Sequence, residues 1–271
     1  MDKDRLNNKR DNIVRVLSTG MIFTNRKTDF CVELNICPLM NLVPSKGDKT
    51  KYVSPSCKSC YATDLLNISR SLRKKIQAIP AEKQHLIDKF EEDVVLMKQL
   101  ATMTELGEIT RLRFYGLTDF APDNIPFILA AAKHLTVDVI SKSLTMPHNE
   151  AWLKRLINAP NVWISLSFNK NFQKPLARIK ELLREMNACN VQLNYCLHTK
   201  EENPSDKFYD QFQVIHQRDQ NKWNANKKGV DESRICGLYD RDGNYLEPKA
   251  KGAHCHSCNN CHVSYVEAVK A

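Results

Sequence analysis

The chain has 271 residues, 42% of them hydrophobic, with only 8 glycines and 11 prolines and a formal charge of +9 at neutral pH. That composition excludes a disordered or collagen-like chain and can bury a sizeable core, within the range of a single α/β domain. The opening MDKDRLNNKRDNIVRVL is charged and lacks an apolar h-region, and no stretch reaches the roughly eighteen uninterrupted apolar residues of a membrane span, so a cytoplasmic protein is expected.

Taken in chain order, TDFCVELNI (28–36) reads as a strand, and 61–100 hold one or two helices, with apolar residues at helical spacing in PAEKQHLIDKFEEDVVLMKQLA and Pro80 as the separator. ITRLRFYG (109–116) reads as a strand, APDNIPFILAAAKH (121–134) as a helix and TVDVISKSL (136–144) as a strand. HNEAWLKRLINA is helical, NVWISLSF (161–168) a strand, PLARIKELLREMNAC (175–189) a helix, VQLNYCLH (191–198) a strand and SDKFYDQFQVIHQ (205–217) a last helix. Strands alternating with helices imply βα units, a parallel sheet and right-handed crossovers. Five strands are too few for an eight-stranded barrel, so a partial barrel or an open doubly wound sheet is expected, with chemistry beyond the C-terminal strand ends. After residue 217 the alternation stops in a polar, loop-rich tail with four cysteines, which is expected to need metal to hold its shape. The expected organisation is an α/β partial barrel over 1–220 and a cysteine-rich extension over 221–271.

Ten cysteines are too many for structural disulfides in a reducing compartment, and clustered ones read as metal or cluster ligands. Cys37, Cys57 and Cys60 form C-x19-C-x2-C after the first strand. Cys236, Cys255, Cys258 and Cys261 form C-x18-C-x2-C-x2-C near the C-terminus. Cys31, Cys189 and Cys196 stand in apolar contexts and read as small buried hydrophobes. The tail group suits a 4Fe-4S cluster, with tetrahedral zinc as the alternative if Cys236 and one of His254, His256 or His262 join the knuckle. A cluster on the three thiolates of the first group would leave one iron open to a substrate or cofactor. The same group also reads as a half-formed zinc site borrowing His198 or a tail cysteine, or as a redox dithiol.

SPSCKSCYATDLL carries a C-x-x-C-Y-A signature, RICGLYDRDGNYLEPKAKGAHCHSCNNCH a terminal cysteine cluster, and ITRLRFYGLTDF a central strand ending in glycine and aspartate. Together these resemble the gene product 88 family of phage proteins, related to the radical S-adenosylmethionine (SAM) enzymes. The resemblance touches both ends and the middle of the chain. It implies a radical-SAM-like partial barrel with iron-sulfur clusters at the C-terminal rim and, for a phage-encoded chain, a place in the host cytoplasm. It also implies that the open iron held by Cys37, Cys57 and Cys60 chelates SAM. By the same resemblance Asp119, in YGLTD after the second strand, would meet the methionine amino group. Ser165 and Ser167 on the fourth strand would meet the ribose, and Lys142 and Ser143 close the third strand. Radical SAM enzymes space their cysteines C-x3-C-x2-C with an aromatic residue before the last. Here nineteen residues separate the first two, Ser59 precedes Cys60 and Tyr61 follows it. A long insertion can still deliver Cys37, because loop entropy grows slowly with length.

Each of these residues also has a plainer reading. Asp119 is a favoured N-cap for the helix beginning near Pro122. Ser165 and Ser167 share one strand face, which is either the interior or the solvent side. Lys142 is costly to bury without a partner and suits an anionic substrate or a carboxylate. Trp152, Trp163 and Trp223 read as packing. Two function classes follow. One is an iron-sulfur enzyme performing SAM-dependent radical chemistry on an unidentified substrate. The other is a non-catalytic, cluster- or zinc-stabilised phage protein that binds host protein or nucleic acid through its basic surface.

Overall fold

The computed structural model describes residues 3–24, 30–35, 37, 40–41, 51–52, 69, 71, 74, 76, 86–169, 173–197 and 211–217. They belong to two compact units, Met1–Ser143 with Ala159–Val162, and Leu144–Asn158 with Trp163–Ala271. The expected boundary at 220/221 and all four tail cysteines lie outside the described residues.

The first unit opens with α1 (Lys3–Val16), a helix that the charged N-terminal sequence concealed. Arg10, Ile13 and Leu17, spaced to share one helical face, are buried. After it come β1 (Ile22–Phe23), β2 (Cys31–Val32), β3 (Met40–Asn41) and β4 (Lys51–Tyr52). They are followed by α2 (Ile87–Thr102), β5 (Arg111–Phe114), α3 (Ile125–Ala132) and β6 (Thr136–Ser141). A turn of 3-10 helix, Pro122–Asn124, leads into α3. The strand order is β1-β2-β5-β6, antiparallel at β1–β2 and parallel thereafter. Within the expected strand 28–36, strand pairing among the described residues is confined to Cys31–Val32.

Alternation along β5 buries Leu112 and Phe114 while leaving Arg111 and Arg113 half-buried. In register beside them, Val137 and Val139 of β6 are buried. Phe90 of α2 stacks edge-on against Phe114 at 6.2 Å and against Phe127 of α3 at 5.4 Å, so this strand face is the one the helices cover. The opposite face carries Arg111, Arg113, Thr136 and Asp138. Asp93, on the buried side of α2, accepts the backbone N–H groups of Ser18 and Thr19 at 2.9 and 2.8 Å and their hydroxyls, tying the end of α1 to α2.

The second unit contains α4 (Glu150–Ile157), β7 (Val162–Phe168) from Trp163 onward, α5 (Leu176–Glu185), β8 (Val191–Leu197) and β9 (Val214–Gln217), with β7-β8-β9 all parallel. Leu176, Ile179, Leu182 and Leu183 bury one face of α5. Each fully buried side chain of this kind contributes about 1.5–3 kcal/mol. Phe212 packs against Phe168 at 5.8 Å and Tyr195 at 5.0 Å, which marks the apolar side of β7 and β8.

Two expectations are corrected here. The helix expected over 205–217 does not extend to its end, since Val214–Gln217 is the strand β9, paired with β8 from Asn194↔Val214 to Leu197↔Gln217. Aromatic and aliphatic residues at helical spacing suggested the helix, but the β-branched Val214 and Ile215 complete a sheet edge, and tertiary pairing overrides the local pattern. Cys189 is exposed rather than core. Asn187 takes a left-handed turn (φ 48°) after α5, which sends Ala188 into the core and Cys189 out. Cys31 and Cys196 are buried as expected.

The protein is thus an α/β structure whose described strands pair mostly in parallel. β1 and β9 each pair on one side only, so the described strands do not close into a barrel.

Candidate functional site

In the first unit the C-terminal ends of β2, β5 and β6 lie side by side, and two buried carboxylates fix the loops leaving them. Glu33 directly follows β2 and is 3% exposed. Its Oε1 accepts the backbone N–H groups of Gly116 and Leu117, both at 2.7 Å. Its Oε2 accepts the N–H of Thr118 at 3.0 Å and the Thr118 hydroxyl. Tyr115 makes this convergence possible. It sits at φ 69°, costly for a bulky residue, while its own N–H donates to the Val32 carbonyl at 3.0 Å. The turn aims three successive N–H groups at one point, an anion-binding nest whose anion is the protein's own side chain. Burial pushes the Glu33 carboxyl above its ordinary range, and the donors from Thr118, Leu117 and Gly116 oppose that shift. The Cys31 thiol contacts Glu33 Oε1 at 3.6 Å, and burial followed by the Glu33 charge drives it well above the ordinary thiol range. Cys31 is therefore an unreactive thiol.

Asp119 performs the same task for the next loop. It is 7% exposed. Its carboxylate accepts Phe120 N–H at 2.7 Å, the Ser141 hydroxyl at 2.6 Å, and the N–H groups of Lys142 and Ser143, each at 3.2 Å. The Ser143 hydroxyl donates to the Phe120 carbonyl at 2.6 Å. Asn35 donates to the Asp119 carbonyl and accepts from Asn124, so all three loops are stitched together. Burial raises the Asp119 carboxyl, opposed by the Ser141 hydroxyl and three backbone donors. Asp119 is not the N-cap of the following helix, for that position is Ala121, without a side-chain cap bond.

The structure thus brings Asp119, Lys142 and Ser143 together through the backbone of the β6 loop. The Lys142 side chain is half-buried. Ser165 and Ser167 belong to the second unit, on one face of β7; Ser165 is 5% exposed and Ser167 half-buried. Trp152 and Trp163 are also half-buried, and Trp223 lies outside the described residues. Cys37, four residues beyond Glu33, is half-buried and in no disulfide. Cys57, Cys60, Cys236, Cys255, Cys258 and Cys261 lie outside the described residues. Among the described residues no group of three His, Cys, Asp or Glu is placed to hold a metal ion.

The long gap between Cys37 and Cys57 has a structural feature inside it. β3 and β4 pair antiparallel, Met40 with Tyr52 and Asn41 with Lys51. Cys37 lies three residues before Met40 and Cys57 five after Tyr52. Among the described residues of this gap, this pairing sets Met40 beside Tyr52, within the roughly 4.5–5.5 Å Cα separation of paired antiparallel residues.

Sequence reasoning missed Glu33, Tyr115, Gln192 and Asn194. Glu33 is a lone acid in an apolar run, which was the available signal, since such a group must find donors when buried. Comparison with protein-family models, curated proteins and solved structures finds no match.

Proposed function

We propose that this chain is an iron-sulfur protein of radical-SAM-like, partial-barrel architecture. Its first 4Fe-4S cluster would be held by Cys37, Cys57 and Cys60, and a second site by Cys236, Cys255, Cys258 and Cys261. The β3–β4 hairpin carries this reading. It supports a short effective path between Cys37 and the Cys57/Cys60 pair, which the bare C-x19-C spacing obscures. A half-buried Cys37, five residues past a strand paired in parallel with β5, fits a ligand better than a core thiol. Three thiolates supply an open iron, and SAM is the cofactor that would chelate it. In this reading Asp119 acts chiefly by positioning the β6 loop, because backbone and serine donors already occupy its oxygens, and an approaching amino group would share them. Lys142, from that loop, remains the proposed polar contact to the cofactor in this unit.

The test is anaerobic purification with quantification of iron, zinc and sulfide, followed by EPR of the reduced protein with and without SAM. Iron with sulfide and a SAM-dependent change of spectrum is expected. Zinc alone would sink the cluster. Iron whose spectrum ignores SAM would leave a cluster-stabilised binding protein, with host protein or nucleic acid as its partner.

A further inference from the structure

The outer side of α2 carries a groove that the proposed function does not use. It holds about 430 Å³ between α2 and His134, which lies just beyond the end of α3. Its α2 wall is a stripe from Asp88 to Gln99, with Glu91, Glu92, Val95 and Leu96 between them at helical spacing. The stripe runs for three turns, about 16 Å. It faces away from the side on which Phe90, Val94 and Met97 are buried. Val95 and Leu96 are half-buried, whereas Asp88, Glu92 and Gln99 are exposed, so a short apolar strip is edged by polar groups. The His134 side is held firmly: Glu91 pairs with Lys133 and with His134 Nε2, each at 2.8 Å, and Lys98 Nζ donates to the His134 carbonyl at 2.7 Å. Those contacts balance the charge of Glu91. Asp88 and Glu92 enter no ion pair among the described residues. Like charges at i, i+4 weaken a helix slightly, and this acidic pair stands on a chain whose formal charge is +9.

We propose that this groove is a docking site for a basic amphipathic helix of a partner protein. Val95 and Leu96 form a floor that takes one apolar ridge of such a helix. Asp88 and Glu92, one turn apart, complement two lysine or arginine side chains that are themselves one turn apart on the partner. A small amine would engage only one end of a three-turn stripe, and nucleic acid would bring phosphates against two unbalanced carboxylates. The groove lies on the helix layer of the first unit, whereas Cys37 and the loops held by Glu33 and Asp119 follow the strand ends, so the proposal is independent of the iron-sulfur reading.

The test uses the full-length, anaerobically isolated protein and a fluorescein-labelled helical peptide of five turns, about eighteen residues. The peptide carries leucines along one face and lysines at i, i+4 beside them, and binding is read by fluorescence anisotropy. Saturable binding to the wild type is expected, with at least tenfold weaker binding of the same peptide made with glutamates in place of the lysines. The double variant Asp88→Lys, Glu92→Lys should lose at least tenfold towards the lysine peptide and gain the glutamate peptide, a swap that a misfolded variant does not produce. Leu96→Ser should weaken the lysine peptide several-fold. Absence of binding to the wild type, equal binding of both peptides, or lysine-peptide binding that survives the double reversal would overturn the proposal. So would a wild-type dimer that Glu92→Lys dissolves, since a second copy of this chain would then be the occupant.

Discussion

The rim of the first unit and the strand face of the second treat buried polar groups in opposite ways. Glu33 and Asp119 are acidic, buried and surrounded by donors from the loops that they organise. On β8, Asn194 is neutral, equally buried and without a hydrogen-bond partner. A carboxyl group satisfied by backbone N–H groups makes a rigid frame, whereas an amide left unpaired is stability forgone. The same chain therefore holds one polar cluster that fixes loops and one buried amide that fixes nothing.

The largest effect is expected from breaking the frame. Glu33→Ala leaves the N–H groups of Gly116, Leu117 and Thr118 without their acceptor and should cost about 3–5 kcal/mol in urea unfolding. Asp119→Asn keeps the shape but replaces one acceptor oxygen with a donor facing N–H groups, and about 2–3 kcal/mol is expected by the same measurement. A loss below 1 kcal/mol in either variant would show that the loops hold without their carboxylates.

The pH dependence sharpens the contrast further. Glu33 is raised from an ordinary value of 4.5 and Asp119 from 3.8. Between the unfolded and the raised folded pKa the native state binds more protons, so their contribution is complete below the unfolded pKa and is lost as pH rises through the folded one. The destabilisation caused by Glu33→Gln should therefore shrink as pH climbs above about 4.5. Growth with pH would mean that the donors outweigh burial. Glu150 in the second unit is the opposite case, an exposed-side carboxylate lowered to about 2 by hydrogen bonds from Arg178 and Lys154. Its contribution is present above 4.5 and lost as pH falls through about 2. Glu150→Gln should give the smallest effect of the series, a slight drop in Tm at neutral pH that vanishes in strong salt because surface pairs are screened.

From β5 to β8 the architecture was legible in the sequence, because strand alternation and helical spacing there agree with the packing. Residues 111–114, 136–141, 162–168 and 191–197 all form strands where period-two patterns fall. The chain's ends were harder to read. Charges hide the buried face of α1, and β9 carries a spacing that suits either element until β8 provides a partner. Asp119 stood out because it follows a strand and a glycine, yet its actual partners, Ser141 to Ser143, lie more than twenty residues further on and leave no local trace. Asn194 was visible as a polar member of the alternation in VQLNYCL. Its register beside Ser167 and its lack of a hydrogen-bond partner show only in the structure.

The cluster assignment is tested most directly by the iron and acid-labile sulfide content of anaerobically purified wild type and Cys37→Ser, measured side by side. The β3–β4 hairpin predicts that Cys37→Ser loses one cluster's iron and sulfide while the tail site keeps its metal. Unchanged iron in the variant, or zinc without sulfide in the wild type, would contradict it.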